Sequence, residues 1–461
     1  MAMGRRGLVL AAALACTLVP RVAAAHTGIE RTSPSNGDTV RAGVREVRMR
    51  FTRGVEAALT TLVLRRGGRP VPAGRLAAEG TDGREYVLPL SRPLLPGAYE
   101  AEWKTVGADG HVLTGRFSFV VAGDPSAAVP GPAAPAAAEA TGDSPPAPVA
   151  EEAASDAARP LAVAVRWAWF LALLGMIGTV AFRHGVLRRL DRDPELADVT
   201  ARGEYGAWVL GWGMAAVSAL TLLGRLWLQV RALGGTDRVW EGAQLDLLLT
   251  STGWGMAWVL QALATVAFVV GLLVARAPHG RSAGWMGAAI GAVLLAAVPA
   301  LSGHAASASR FAAPAIVSDW LHVLGAGVWL GTLAVVLAVG LPAALSVRPA
   351  AGDAIARMVG AFSPMALAAG GLVGVTGLVS AWVQLGVPAN LWGTYYGRML
   401  LLKLALLAGV AAMGFYNWRR VLPRLGDETG AARLRRSARA EVGLGALVVL
   451  VTAILVALPT P

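Results

Sequence analysis

The sequence predicts an N-terminal all-β sandwich of Greek-key type, followed by an all-α polytopic membrane bundle of about eight transmembrane helices. Three observations carry this expectation. Between residues 26 and 122, short runs rich in β-formers alternate with Gly, Pro and Asp turns. From Leu161 onward, apolar stretches about 20 residues long recur, the length that crosses a bilayer core. The whole 461-residue chain is 55% hydrophobic and 15% charged, which no soluble protein of this size needs.

Residues 1–25 open with Arg5-Arg6, continue with an apolar run from Leu8 to Val19 and end in Ala23-Ala24-Ala25. That charged, apolar, small-residue order is a secretory signal with an A-x-A cleavage site, so the next segment is expected outside the cytoplasm. The β segment, 26–122, holds candidate strands at Val44–Phe51, Leu59–Leu64, Tyr86–Leu90, Tyr99–Thr105 and Val112–Val121. In the fourth, Tyr99, Ala101 and Trp103 face inward while Glu100, Glu102 and Lys104 face out. Strands at this spacing suit an immunoglobulin- or cupredoxin-like sandwich. Residues 123–157, mostly Ala, Pro, Glu and Ser, read as a tether. The membrane part, 158–461, has expected spans at 161–182, 206–230, 247–275, 284–301, 316–341, 361–384, 399–418 and 441–459. Expected inner loops carry sixteen arginines, from Arg183 to Arg439. Outer loops carry Arg231, Arg238, Arg310 and Arg398. This asymmetry satisfies the positive-inside rule and places both mature termini outside.

The composition excludes several functions. The single cysteine, Cys16, lies in the signal, so the mature chain has no disulfide and no thiolate metal site. Ala13-Leu14-Ala15 is a poor lead-in for a lipoprotein signal at Cys16. The net charge of +12 sits in arginines of short loops, with Lys104 and Lys403 the sole lysines, which argues for a bilayer partner and against nucleic acid. There is neither a P-loop nor an Asp-Lys-Thr-Gly phosphorylation motif.

Cleavage after Ala25 gives His26 a free α-amine beside its imidazole, a two-nitrogen chelate on one residue. Asp109 and His111 differ by two, so on a strand both project from one face. An Asp-Gly pair alone is an ordinary hairpin signal. Coupled to His26, the set becomes three nitrogens and a carboxylate, which suits tetragonal Cu(II).

At these residues the segment resembles the CopC family of periplasmic copper-binding β-sandwiches. The likeness runs through His26, the Ser33-Pro34-Ser35-Asn36-Gly37 turn and Val47-x-Met49-x-Phe51-Thr52. Its strongest element is Leu95-Pro96-Gly97-Ala98-Tyr99-x3-Trp103-x5-Asp109-Gly110-His111-x3-Gly115-x-Phe117-x-Phe119. The resemblance implies Cu(II) held by His26, Asp109 and His111. Two positions depart from the family pattern. Met49 is the sole methionine of the segment, which argues against a Cu(I) thioether site, and Arg53 stands where many members have an acidic residue.

Ionisable residues within the spans are functional candidates by default. His304 lies at the outer end of the fourth span and His322 one to two turns into the fifth; together they form a candidate membrane copper site. Asp319, three residues before His322 on the same helix face, is positioned to orient the imidazole. Gly325, Ala326 and Trp329 continue that face, and Lys403 in the seventh span joins the candidate pathway. Against these stand simpler readings, His304 as a loop residue and His322 as a packing residue. Arg166 and Arg225 read as snorkelling cations, and Glu441 as an interfacial residue too far in depth to pair with Lys403. Met176, Met214, Met256, Met365 and Met413, scattered singly, read as packing, and His184 and His279 as solvated loop residues.

Ser302-Gly303-His304-Ala305, Asp319-x2-His322-x6-Trp329-x-Gly331, Gly397-Arg398-x4-Lys403 and Ala440-Glu441 resemble, in order, the CopD family of eight-span inner-membrane proteins. A CopC-like domain tethered to a CopD-like domain resembles a known natural fusion. The resemblance implies a non-enzymatic protein of the bacterial inner membrane with its N-terminal domain in the periplasm. It would capture Cu(II) outside, from solution or from extracytoplasmic carriers, and import copper as Cu(I) or Cu(II). Three alternatives stand beside this: a b-type haem redox protein with His304 and His322 as axial ligands, a copper-sequestering resistance protein without transport, and an oxygen-activating copper enzyme using His26.

Overall fold

The computed structural model describes residues 28–80, 82–107, 112–123, 160–234, 242–302, 312–347, 351–417, 419 and 428–458. Nine strands lie among them: β1 (Ile29–Ser33), β2 (Thr39–Val40), β3 (Glu46–Phe51), β4 (Thr61–Arg66), β5 (Arg69–Pro70), β6 (Ala77–Glu79), β7 (Glu85–Pro89), β8 (Gly97–Val106) and β9 (Val112–Val121). They form two sheets, ordered β1-β3-β7-β6 and β2-β9-β8-β4-β5. All pairings are antiparallel except β2 with β9. The five expected runs each became a strand. β1, β2, β5 and β6 are too short or too polar to show a period-two signal.

The two inner faces share one core. Tyr99, Ala101 and Trp103 of β8 are buried, as their alternation predicts, and Glu102 is exposed. Phe51 of β3 meets Trp103 across the sandwich edge-on, with ring centroids 5.4 Å apart, and Tyr86 of β7 at 5.8 Å. Trp103 pairs with Gly115 on β9, where a Cβ would stand 2.5 Å from the indole ring. Gly115 is therefore the space that the indole fills. On the outer face, Arg48, Arg50 and Arg84 lace the strands to Glu30, Glu46, Glu79 and Glu85. Neighbouring carboxylates raise the Arg48 and Arg50 guanidinium groups above their ordinary value, most strongly through the hydrogen bonds these donate to Glu46 and Glu85 respectively.

The membrane part contains α1 (Pro160–Ala181), α2 (Ala197–Gly234), α3 (Gly242–Ser251), α4 (Gly253–Val274), α5 (Arg281–Leu301), α6 (Ala312–Ala326), α7 (Ala351–Leu385), α8 (Tyr395–Tyr416) and α9 (Glu428–Leu455). Among the described residues, seven helical segments are long and apolar enough to cross a membrane. The eighth expected span, 441–459, falls mostly within the apolar second half of α9. The expected span 247–275 is broken at Thr252, whose side chain accepts the Gly255 N–H at 2.9 Å and starts α4. Two helices run on as π turns: α1 through Phe182–Leu187, and α6 through Gly327–Gly331 and Val336–Gly340. His184 consequently sits half-buried in a helix, 3.4 Å from the Trp285 carbonyl, and not in a solvated loop. His279 is exposed in the turn before α5.

α1 packs against α2, α5, α9 and the π turn of α6. The closest approach is made by glycines. A Cβ on Gly331 would strike the Leu174 carbonyl, one on Gly178 would strike the Gly331 backbone, and one on Gly327 would meet Ile177. Small residues let helix backbones touch in a bilayer, where the hydrophobic effect does not drive association. Of the methionines read as packing, Met176 is buried, Met214 fills the hole at Gly175 and Met365 that at Gly185, whereas Met256 is exposed. Met358 fills the hole at Gly340.

Two outcomes follow. Gly115→Ala should destabilise the β domain by about 1–3 kcal/mol through overpacking against Trp103, seen by calorimetry as a lowered first transition of the full chain. Gly331→Val, which forces α1 and α6 apart, should lower the detergent-solubilised bundle's melting temperature, while Gly371→Val, where no atom lies within 4 Å, should not.

Candidate functional site

His26, Asp109, His111 and His304 lie outside the described residues. The nearest described residues to the first three are Gly28, Gly107 and Val112, and the first two are held on one stretch of chain. Gly28 and Thr52 exchange two hydrogen bonds: the Gly28 N–H donates to Thr52 Oγ1 (3.0 Å), and the Thr52 N–H donates to the Gly28 carbonyl (2.8 Å). Gly107 forms an isolated antiparallel bridge with Val55. Val106 at the end of β8 pairs with Val112 at the start of β9, so 107–111 is the connection between paired strands. The chain leading to His26 and the chain leading to Asp109 are therefore anchored on one stretch, Thr52 to Val55, at most ~10 Å long. Tyr86 fixes that stretch, its buried hydroxyl donating to the Val55 carbonyl at 2.7 Å. Burial raises the Tyr86 phenol above its ordinary value.

In the membrane part, α6, α7 and α8 bring a polar cluster together. The hydroxyl of Thr376 on α7 back-bonds to the Leu372 carbonyl at 2.7 Å and lies 3.0 Å from Nδ1 of His322. With its one proton committed to Leu372, the Thr376 oxygen accepts from Nδ1–H. The Val373 backbone also hydrogen-bonds the imidazole, and with the proton on Nδ1 the ring carries its lone pair on Nε2. Gly377, whose Cβ would stand 3.4 Å from Cε1, leaves room for the ring against α7.

Asp319 does not orient His322 as expected. Its Oδ1 accepts from Ser380 Oγ at 2.8 Å. The two groups, three residues apart on α6, meet two hydroxyls four residues apart on α7, so each finds its own partner across the helix interface. Lys403 of α8 acts electrostatically on both Asp319 and His322, and Tyr396 lies within the field of Asp319. The Tyr396 hydroxyl donates to Gln384 Oε1. A cleft lined by Ala315, Ser318, Asp319, Val379, Ser380, Val383 and Gln384 opens beside the cluster. The buried Ser318 hydroxyl has no partner among the described residues. Trp329 stands apart from these polar groups, in the π turn and packed over Gly370.

Sequence reasoning missed Thr376, Ser380, Gln384 and Tyr396. The first three recur at i, i+4 and i+8, a polar stripe on one face of an otherwise apolar helix, and that periodicity was available to find them.

The other ionisable groups have local partners. Arg225 does not snorkel; it donates to Gln261 Oε1 and lies over the rings of Trp169 (6.0 Å) and Trp254 (5.9 Å). Arg166 donates to the Ala453 carbonyl at 2.8 Å. Glu441 is buried and accepts from Asn417 Nδ2 at 3.0 Å. Among the described residues, no three His, Cys, Asp or Glu side chains come close enough to enclose a metal. The α6–α8 cluster offers one imidazole, one carboxylate and neutral oxygens, a set for transient rather than tight binding.

Residues 29–122 match the CopC domain family, 155–312 the family described as copper resistance protein D-like, N-terminal domain, and 356–455 the family described as copper resistance protein D. The copper transport protein CutJ of Bacillus subtilis (strain 168) is 26% identical over 449 residues, spanning 96% of this chain and 76% of that protein. Copper resistance protein C of Escherichia coli is 26% identical over 106 residues, 22% of this chain and 83% of its own. The crystal structure of CopC from Methylosinus trichosporium OB3b has 30% identity, covering 21% of this chain and 94% of that one with a TM-score of 0.20. The protein carries a CopC domain followed by a CopD-type membrane domain.

Proposed function

We propose that this protein captures Cu(II) outside the cytoplasmic membrane and passes copper inward through the α6–α8 cluster. The observation that carries the reading is His322, an imidazole within the bundle whose Nδ1 is held by Thr376. Held there as a donor, the ring carries its lone pair on Nε2, the nitrogen that can take a metal. Asp319 and Ser380, beside the cleft on the same helix pair, support the reading as oxygen donors.

In the outer domain, the anchoring of Gly28 and Gly107 on Thr52–Val55 supports a Cu(II) site made by His26, Asp109 and His111. His26 supplies its amine and imidazole, His111 a third nitrogen and Asp109 an anionic oxygen. The β domain is proposed to lie on the periplasmic side, as the signal segment and the arginine distribution suggest. Copper is the cargo of this route. With no nucleotide motif in the chain, its movement is downhill or coupled to another ion.

His111→Ala should abolish the tetragonal Cu(II) EPR signal of the purified protein and reduce cellular copper uptake at low external copper. His322→Ala should remove uptake while leaving that EPR signal intact. Thr376→Val, which keeps the shape but removes the acceptor, should reduce uptake about tenfold, with Thr376→Ser restoring it. A Soret band in the purified protein would assign His322 to haem and overturn this reading.

A further inference from the structure

One end of the β sandwich is covered by the membrane part. Leu59, closing the short turn Ala57–Leu59, and Val106, the last residue of β8, stand outside the sandwich core. They pack instead with Leu248 of α3 and Trp254 of α4, and all four are buried. The patch is rigid on both sides. On the sandwich, the Thr60 and Thr105 hydroxyls pair at 2.7 Å in a buried contact beside Leu59 and Val106. On the bundle, the break at Thr252 builds the receiving surface. Its hydroxyl caps α4 and bonds the Leu248 carbonyl at 2.7 Å, so Leu248 and Trp254 are presented together. Gly255 allows this fold-back, since a Cβ there would strike the backbone of Leu248 and Leu249.

The position of the patch gives it meaning. Val106 precedes Asp109 by three residues, and the next residue, Gly107, is the anchor shared with the chain leading to His26. The sandwich end that meets the bundle is thus the end from which the candidate Cu(II) ligands depart. Residues 123–157 join the two parts through 35 residues rich in Ala and Pro. A covalent connection raises the effective concentration of each part at the other, which favours docking of a small apolar patch.

We infer that Leu59 and Val106 form a docking face for Leu248 and Trp254, and that copper leaves the outer domain for the membrane domain in this docked state. The transfer half of the inference rests on the import reading above; the docking half does not.

The full-length protein tests both. Cys16 is the chain's sole cysteine and lies in the signal segment, so Leu59→Cys with Leu248→Cys gives a clean pair for a short bismaleimide cross-linker. With a protease site inserted in 123–157, docking keeps the two halves joined after cleavage. Separation of the halves would overturn the docking face. Leu59→Asp should retain the Cu(II) EPR signal, which reports an intact outer domain, while uptake at low copper falls about tenfold. Adding Leu248→Lys should restore uptake through the new charge pair. Wild-type uptake in Leu59→Asp, with the cross-link formed in the cysteine pair, would overturn transfer in the docked state. Absence of uptake in the wild type would sink the import reading and the transfer step with it, leaving the cross-link to decide docking.

Discussion

Direct backbone contact between α1 and α6 at Gly178 and Gly331, with Gly327 seated on the Ile177 side chain, sets the geometry of the membrane half. Helices in lipid gain nothing from excluding water, so their rotation is fixed by where backbones can touch. Gly327 lies eight residues beyond Asp319, roughly a quarter-turn around the helix. With the glycine face held on α1, the Asp319 and His322 face turns towards α7. The π turn beginning at Gly327 then redirects the rest of that span, carrying Trp329 over Gly370. Substituting the contact would rotate the polar face as well as loosen the bundle.

Once that face meets α7, the low dielectric makes hydrogen-bond satisfaction obligatory. Thr376 and Ser380 meet the need without adding charge. A neutral hydroxyl on His322 leaves the Asp319 carboxyl to Ser380 and the neighbouring Lys403. Had Asp319 itself held the ring, the carboxylate would have been spent on orientation. The arginines near the other helices are handled similarly, with Arg225 on Gln261 and two indoles and Arg166 on a backbone carbonyl.

In the β domain the equivalent constraint is the stretch from Thr52 to Val55. It ties β1 of one sheet to the end of β8 in the other. The interlock of Phe51, Tyr86 and Trp103 beneath it makes that stretch part of the core rather than a loose edge. Gly28 and Gly107, far apart in sequence, are thereby held on neighbouring anchors.

The sequence by itself determined that a sandwich is followed by a helical bundle, because hydrophobic period and segment length are local properties. Tyr99, Ala101 and Trp103 announced their burial by alternation, and seven spans by length. It also singled out His322, Asp319 and Lys403, since an ionisable residue in an apolar run is conspicuous without knowing its neighbours. Tertiary structure alone decided what those residues touch. That Asp319 takes Ser380 while His322 takes Thr376 depends on the rotation and register of two helices, which glycine contacts elsewhere set. That Thr252 breaks an apolar run long enough to span depends on α3 folding back over Gly255. Pairing between helices is a relation across space, and no periodicity within one helix encodes its partner's phase.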